Sequence, residues 1–323
     1  MLQVLLARLG QGVLVLLAVS AIAFAMFRYV GDPVQSMSRE DATPQEKAEL
    51  RAFLGLDQPV PVQYAKFLGR VLRADLGISY RNQRPVAELI SQRLPATLEL
   101  VIAATVISLL LGIPLGVYCA LRPGGWLARL VQTISLIGIS TPTFVTGIAL
   151  ILVFAVWLKW VPSFGRGDVV SLGGWTTGFL TASGLKSMLL PAITLSLFQL
   201  TLIMRLVRSE MIDVLSSDFI RFARARGLPA GRIHFTLALR NALMPVITVT
   251  GLQVGQLVAF AIVTETVFQW PGMGLLFIQA VGFSDIPVMA AYLLFVGGLF
   301  VLINTVVDLI YVLVDPRLRV RAS

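Results

Sequence analysis

Residues 96–121 read ATLELVIAATVISLLLGIPLGVYCAL, a run of 26 residues in which Glu99 is the only charged side chain. A helix needs about 20 consecutive, mostly apolar residues to cross the hydrocarbon core of a bilayer. This run is therefore long enough and apolar enough to span a membrane.

The composition of the whole chain is that of a membrane protein. Of its 323 residues, 57% are apolar and 13% are charged, and the mean hydropathy is +0.84. Soluble domains have about 45–50% apolar and about 25% charged residues, and they cannot bury this much apolar surface. A disulfide-stabilised secreted domain is excluded because Cys119 is the only cysteine. The sequence predicts an all-α integral membrane protein.

Six stretches have the length and composition of spanning helices. They are 9–27, 96–121, 130–157, 188–204, 243–268 and 287–314. Pro95, Pro245 and Pro287 fall where a helix is expected to begin, a position that tolerates a missing N–H.

The first stretch has two interpretations. Arg8, followed by an apolar run that contains Ala21-Ile22-Ala23, resembles a signal peptide and its cleavage site. The run is as long as a full span, however, and Arg28 follows it. We therefore expect a retained first helix.

The distribution of charge predicts the orientation in the membrane. If the N-terminus, loops 122–129 and 205–241 and the tail after residue 314 share one side, that side has 13 arginines and four acids. Segment 31–99 has nine basic and nine acidic residues, so the entire net charge of +9 lies on the first side. By the positive-inside rule that side is cytoplasmic. This asymmetry explains the high pI of 10.3 and removes the reason to expect nucleic-acid binding.

The polar segment 31–95 is expected outside the membrane as short amphipathic helices. Thr43-Pro44-Gln45-Glu46 is a capping box, and Gly55 is expected to end the first helix. The second and third helices are indicated by apolar residues at helical spacing: Tyr64, Phe67, Leu68, Val71 and Leu72, then Val86, Leu89, Ile90 and Leu94. The segment is either a cap that only packs or a docking platform for an external protein.

The sequence offers little for enzymatic chemistry. His234 is the only histidine, and zinc-protease, nucleophile-elbow and phosphate-loop motifs are missing. Ser183-Gly184-Leu185-Lys186 matches S-x-x-K without a companion motif. We therefore expect no catalytic residue, no metal site and no cofactor on this chain, and no enzyme activity from the chain alone.

Polar side chains within the spans are candidates for gating or for seams between helices. Asn304 and Asp308 are four residues apart and share a helix face. Their simplest role is a hydrogen-bonded seam, with a proton or substrate site as the alternative. Glu265 lies just before Trp270 and the turn that follows it, where gating, substrate contact or an interfacial anchor is equally compatible with the sequence.

Loop 213–241 predicts a helix, a glycine turn and a second helix that continues into span five. Ser216 and Ser217 are candidate N-caps, and Gly227 followed by Pro229 ends the first helix. The first helix has apolar Phe219, Phe222 and Ala223 beside basic Arg221 and Arg224. Such a hairpin suits force transmission to a cytoplasmic partner, or it rests on anionic lipid through its arginines.

Two motifs in this loop resemble the "EAA" coupling loop of ABC importer permeases of the dipeptide/oligopeptide/nickel class. They are Phe222-Ala223-Arg224-Ala225-Arg226-Gly227-Leu228 and Ala238-Leu239-Arg240-Asn241-Ala242-Leu243-Met244-Pro245-Val246-Ile247-Thr248. Further similar motifs run along the chain, including 31–33, 54–57, 75–79, 95–100, 251–253, 264–268, 270–274 and 315–317. The sequence departs from the general motif at Arg221-Phe222-Ala223, where that motif has Glu-Ala-Ala. Segment 165–186 has no motif of the family.

The resemblance implies the ABC type I importer permease fold, with six transmembrane helices and a small helical periplasmic segment. Its implied parts are residues 1–30 with the first span, the periplasmic segment 31–95, a core 96–314 that includes coupling loop 213–241, and a cytoplasmic tail 315–323. Residues Phe219, Arg221, Phe222, Ala223, Arg224, Ala225, Arg226, Gly227 and Leu228 would form the ATPase-coupling contact.

The resemblance also implies partners and a location. These are a second permease, two cytoplasmic ABC ATPases that use ATP and Mg, a periplasmic binding protein, a peptide-like solute and the lipid of the bacterial inner membrane, with both termini cytoplasmic. The solute stays open among dipeptides, oligopeptides, glutathione, nickel, haem and opine-like solutes. The alternative function is a non-transporting membrane scaffold that uses the same basic loop for docking.

Overall fold

The computed structural model describes residues 2–29, 34, 43–53 and 56–314. Within them, five helices are long and apolar enough to cross a membrane: Gly10–Tyr29, Val86–Leu121, Ala182–Ser216, Arg232–Val267 and Ile286–Val307. They coincide with the first, second, fourth, fifth and sixth predicted spans. The all-α membrane fold is therefore confirmed.

The elements follow one another as helices with a single described hairpin. The helices are α1 (Leu2–Tyr29), α2 (Pro44–Phe53), α3 (Val60–Leu72), α4 (Val86–Leu121), α5 (Trp126–Ser140), α6 (Thr143–Leu150), α7 (Ala182–Ser216), α8 (Asp218–Ala225), α9 (Leu239–Val267), α10 (Met273–Gly282) and α11 (Ile286–Val314). A π-helical stretch, Ile151–Trp157, extends α6, and another, Arg232–Ala238, leads into α9. Strands β1 (Val170–Leu172) and β2 (Trp175–Thr177) pair antiparallel.

The third predicted span, 130–157, is not one continuous helix. Helix α5 ends at Ser140, and α6 begins at Thr143. Pro142, the N-cap residue of α6, has an extended backbone conformation (ψ 137°). Proline lacks the N–H that would continue α5, and it moves the preceding residue away from helical angles. The break therefore divides this region into two shorter apolar helices.

Two of the three prolines predicted to start helices lie inside them instead. Pro245 is within α9, and Pro95 is the tenth residue of α4, which begins at Val86. The predicted third amphipathic helix is thus the first part of a spanning helix. Membrane helices tolerate an internal proline because neighbouring groups satisfy the freed carbonyl. Pro287, the second residue of α11, is where we predicted it.

The chain divides into two compact units, of which the first comprises residues 1–95 and 271–302. Its α2 has the predicted capping box, in which the Thr43 N–H donates to Glu46 Oε2 (2.8 Å) and the Glu46 N–H to Thr43 Oγ1 (3.3 Å). Gly55 lies outside the described residues. Helix α3 packs through Phe67 against Ala23 and Ala290.

The second unit comprises residues 96–270 and 303–323, and α7 is its central helix. Helix α7 packs against α5, α6 and α9, and it extends beyond the predicted 188–204 at both ends. Helices α4 and α7 approach closely at Gly112 and Gly116, since a Cβ on Gly116 would lie 2.6 Å from the Met204 carbonyl oxygen. Small residues four apart allow such backbone contact between membrane helices.

Candidate functional site

Helix α8, in the predicted coupling loop, is a single short helix seated on the second unit. Ile220 and Ala223 are both buried. Ile220 belongs to a cluster with residues of α4, α7 and the π-helical stretch before α9, including Val207, Met211 and Ile233. This apolar contact fixes one face of α8. Movement of α8 would therefore require these helices to move with it.

The exposed surface of α8 is aromatic and basic. Phe219 is 47% exposed and Phe222 is 63% exposed, and the Arg226 guanidinium lies 5.6 Å from the centroid of the Phe222 ring. Arg221 pairs with Asp218 at 3.2 Å in a fully hydrated setting, where such pairs contribute little stability. Exposed aromatic side chains beside arginines are the composition of protein-binding surfaces.

The end of α8 is a Schellman turn. The Leu228 N–H donates to the Ala223 carbonyl (3.3 Å) and the Gly227 N–H to the Arg224 carbonyl (2.9 Å), the two bonds that define this motif. Gly227 has φ +74°, so the predicted glycine turn is confirmed. Leu228 then packs on the same cluster as Ile220, which fixes the direction of the chain after the turn.

The start of α8 differs from the prediction. Ser217 is at the N-cap, but its Oγ donates to the Val214 carbonyl (2.5 Å) rather than accepting from α8. Ser216 likewise bonds back to the Asp213 carbonyl (2.8 Å). Both hydroxyls therefore finish α7, whose last turn contains Asp213, and neither side chain caps α8.

After the turn, one continuous helical rod leads away from α8. The N–H groups of Arg232 and Ile233 donate to the Pro229 carbonyl, at 3.0 and 3.1 Å, and the helix from Arg232 continues to Val267. This run is 36 residues long, or about 54 Å at 1.5 Å per residue. The rod therefore connects the α8 turn to the far end of span five.

Glu265 and Trp270 lie together at that far end. Glu265 is fully buried and accepts from Thr97 Oγ1 (2.6 Å), and its backbone carbonyl accepts from the Trp270 N–H (2.8 Å). The Trp270 indole, also fully buried, donates to the Ala96 carbonyl (2.9 Å). These bonds tie the end of α9 to α4 and favour the anchor interpretation; a gating role stays a prediction.

The sequence matches two families over almost its whole length. Residues 112–320 match the family described as "Binding-protein-dependent transport system inner membrane component", and residues 1–101 match its N-terminal companion. The chain belongs to this permease family. The predicted family, and with it the assignment to a transport subunit rather than an enzyme, is confirmed.

Three relatives illustrate the similarity. The permease is 40% identical to the dipeptide transport system permease protein DppB of Escherichia coli K12 over 99% of both chains. It is 40% identical to the di/tripeptide transport system permease protein DppB of Pseudomonas aeruginosa, also over 99% of both chains. It is 37% identical to DppB of Alkalihalophilus pseudofirmus, over 94% of this chain and 96% of that protein.

Solved structures of the MetNI methionine ABC transporter in inward-facing conformations share the fold. The match has a TM-score of 0.56 and 20% identity, and covers 70% of this permease and 96% of that chain. The permease therefore shares the fold of this ABC transporter chain.

The remaining predicted polar pair is on α11. Asn304 is half-buried, one helical turn before Asp308. The Asp308 side chain lies outside the described part of the structure. Their role in a seam stays a prediction.

The permease contains a buried ion pair that no sequence motif indicated. Arg166 binds Glu99 through Nε (3.1 Å) and Nη2 (2.6 Å), with the two side chains 9% and 1% exposed. Arg166 also donates to the Thr176 carbonyl (2.7 Å), and the Gly178 N–H donates to Glu99 (2.9 Å). Segment 165–186, without a recognisable motif, is thus fixed to α4 through its hairpin.

A second missed contact lies in the first unit. Asp285 is 1% exposed and accepts from Ser79 Oγ (2.5 Å) and from the Tyr80 N–H (3.0 Å). The carboxylate organises the turn between α3 and α4. Ser79 ends one of the family-like motifs, which was the only sequence signal for this contact.

Proposed function

We propose that this permease imports dipeptides, oligopeptides or similar small solutes. The similarity to permeases named for dipeptide and di/tripeptide transport supports this choice, because it extends over almost the entire chain at 37–40% identity. The scaffold alternative lacks any comparable support.

The proposed importer contains four membrane-associated subunits and one external protein. A second, homologous permease completes the translocation path, and two ABC ATPases hydrolyse ATP with Mg on the cytoplasmic side. A periplasmic binding protein delivers the solute and contacts segment 31–95. In this arrangement, both termini of the permease are cytoplasmic, because the excess of arginine over acid lies on that side.

The single observation that carries the coupling assignment is the contrast between the buried and the exposed side chains of α8. Ile220 and Ala223 are buried, with Ile220 in the helical core, while Phe219 and Phe222 are exposed to solvent. In our proposal the two phenylalanines fill an apolar cleft of the ATPase, and Arg221, Arg224 and Arg226 surround the contact. Closure of the ATPases then pushes on α8, and the rod from Arg232 to Val267 transmits the displacement.

Substitutions of Phe222 and of the pair Arg221 and Arg224 distinguish ATPase docking from lipid contact, since these side chains are all exposed on α8. In membrane vesicles with the full set of subunits, we expect Phe222→Ala to reduce ATPase co-purification and ATP-dependent uptake of labelled dialanine by at least tenfold. If α8 instead rested on anionic lipid, Arg221→Gln with Arg224→Gln would reduce uptake and Phe222→Ala would not. Normal uptake by Phe222→Ala would refute the coupling assignment.

A further inference from the structure

A groove with a mainly apolar lining and several polar groups opens in the second unit at the break between α5 and α6. It has a volume of about 390 Å³, within the range of about 300–1,000 Å³ that small-molecule sites occupy. Helices α7 and α9 form its other walls. Its polar lining consists of hydroxyl and carboxamide groups from Ser140, Thr141, Thr143, Thr146, Thr194, Gln253 and Gln256, and none of its lining residues is charged.

The groove lies near the middle of the membrane. Gln253 is 13 residues after Arg240 and 14 residues before Val267 on the same helix. At 1.5 Å per residue, it is about 20 Å from each. Thr194, on α7, is similarly 12 residues from Ala182 and 11 from Arg205. Since the hydrocarbon core is about 30 Å thick, these groups lie at hydrocarbon depth.

The exposure of this surface excludes hydrocarbon as its natural neighbour. Gln256 is exposed and Gln253 is half-buried, and a carboxamide that faces lipid tails would lose its hydrogen bonds at considerable cost. Phe198 (44% exposed) and Phe260 (61% exposed) flank the amides. The surface therefore faces either a hydrated path or another protein chain.

We propose that this groove binds the peptide backbone of the solute midway across the membrane, an inference that rests on the proposed import of peptides. Carboxamides and hydroxyls both donate and accept, which matches the alternating N–H and C=O groups of a peptide. A lining without charge does not select for charged side chains, and the two phenylalanines offer apolar contact to any side chain. The groove thus recognises what all short peptides share.

Photo-crosslinking in the complete importer tests where the solute passes. The probe is tritiated trialanine. In the test variant, p-benzoylphenylalanine replaces Phe260 in the groove. In the control variant it replaces Leu252, which is on the same helix, outside the groove and 44% exposed. During ATP-driven uptake we expect label on the permease only with the Phe260 replacement. Equal labelling at both positions, no labelling, or a crosslink from position 260 to the second permease would refute the proposal that the groove binds the solute.

Substitutions test the hydrogen bonds. Gln253→Met keeps the length of the side chain and removes its amide, Thr146→Val removes a hydroxyl, and Thr248→Val is the control outside the groove on α9. We expect the first two variants to reduce trialanine uptake at low concentration about three- to tenfold, the effect of one hydrogen bond. ATPase stimulation by the loaded binding protein and uptake by the control variant should stay normal.

The outcomes separate the groove from the function on which it rests. If the unmodified importer accumulates no peptide, the import function and the ligand of the groove are both refuted. If the unmodified importer transports trialanine and the Gln253→Met and Thr146→Val variants transport it equally well, only the proposed binding of peptide in the groove is refuted.

Discussion

Replacing Gly227 with valine perturbs the turn after α8 and almost nothing else. Gly227 has φ +74°, and no heavy atom lies within 4 Å of the position that a Cβ would occupy. A Cβ at this position therefore meets no steric obstacle from the surrounding structure. The main cost of the substitution comes from holding an L-residue in the left-handed region.

That cost determines the expected effect. A left-handed conformation costs an L-residue about 1–2 kcal/mol, with a β-branched side chain such as valine at the unfavourable end. A change of this size lowers the ratio of native to non-native turn about 5- to 30-fold. It is small beside the 5–15 kcal/mol that holds a typical domain folded. The helices should therefore insert normally while α8 loses its defined position.

Asparagine is the matched control, because it tolerates left-handed angles better than other non-glycine residues. In vesicles with all subunits, Gly227→Val should abolish the stimulation of ATPase activity by the loaded binding protein and reduce uptake about tenfold. Gly227→Asn should retain most of both activities. Equal, near-normal activity of the two variants would refute the idea that the turn must hold α8 in place.

Three other perturbations follow from the structure. Arg166→Met leaves the Glu99 carboxylate buried without its cation and should lower the free energy of unfolding by about 3–5 kcal/mol; Glu99→Leu combined with Arg166→Met should restore most of it in detergent unfolding measurements. Trp270→Phe removes one buried indole hydrogen bond and should cost about 1 kcal/mol in the same measurement, whereas an unchanged stability would contradict the anchor role. Cysteine at exposed Gln45 should react with an impermeant maleimide in intact spheroplasts and cysteine at exposed Ser216 should not; the reverse pattern would invert the topology.

The helical membrane fold could be predicted because hydrophobic length is a strong constraint. Spans such as 96–121 are too long and too apolar to fold in any other way. The glycine turn at Gly227 was equally predictable, since a helical pattern that ends in Gly and Pro has few alternatives. Local chemistry alone decides both features.

Features that depend on distant partners could not be predicted. The break at Pro142 is different, because the proline is itself a local signal; hydropathy alone does not register it, since both sides of the break are apolar. Arg166 lies in a segment without a pattern, and its carboxylate partner is 67 residues away in the sequence. Pro95 and Pro245 were misplaced because tertiary contacts in a membrane compensate for a lost hydrogen bond, which a local rule for helix starts does not include.

The most direct test of the central claim asks what Phe222 contacts in the assembled importer. With p-benzoylphenylalanine in place of Phe222, ultraviolet irradiation of vesicles that contain all subunits should give a covalent adduct between the permease and an ATPase subunit. The same replacement at Trp175, which is 37% exposed on the β hairpin, should give none. Adducts of Phe222 with lipid alone, in vesicles that still import peptide, would contradict the assignment of α8 as the contact that couples ATP hydrolysis to transport.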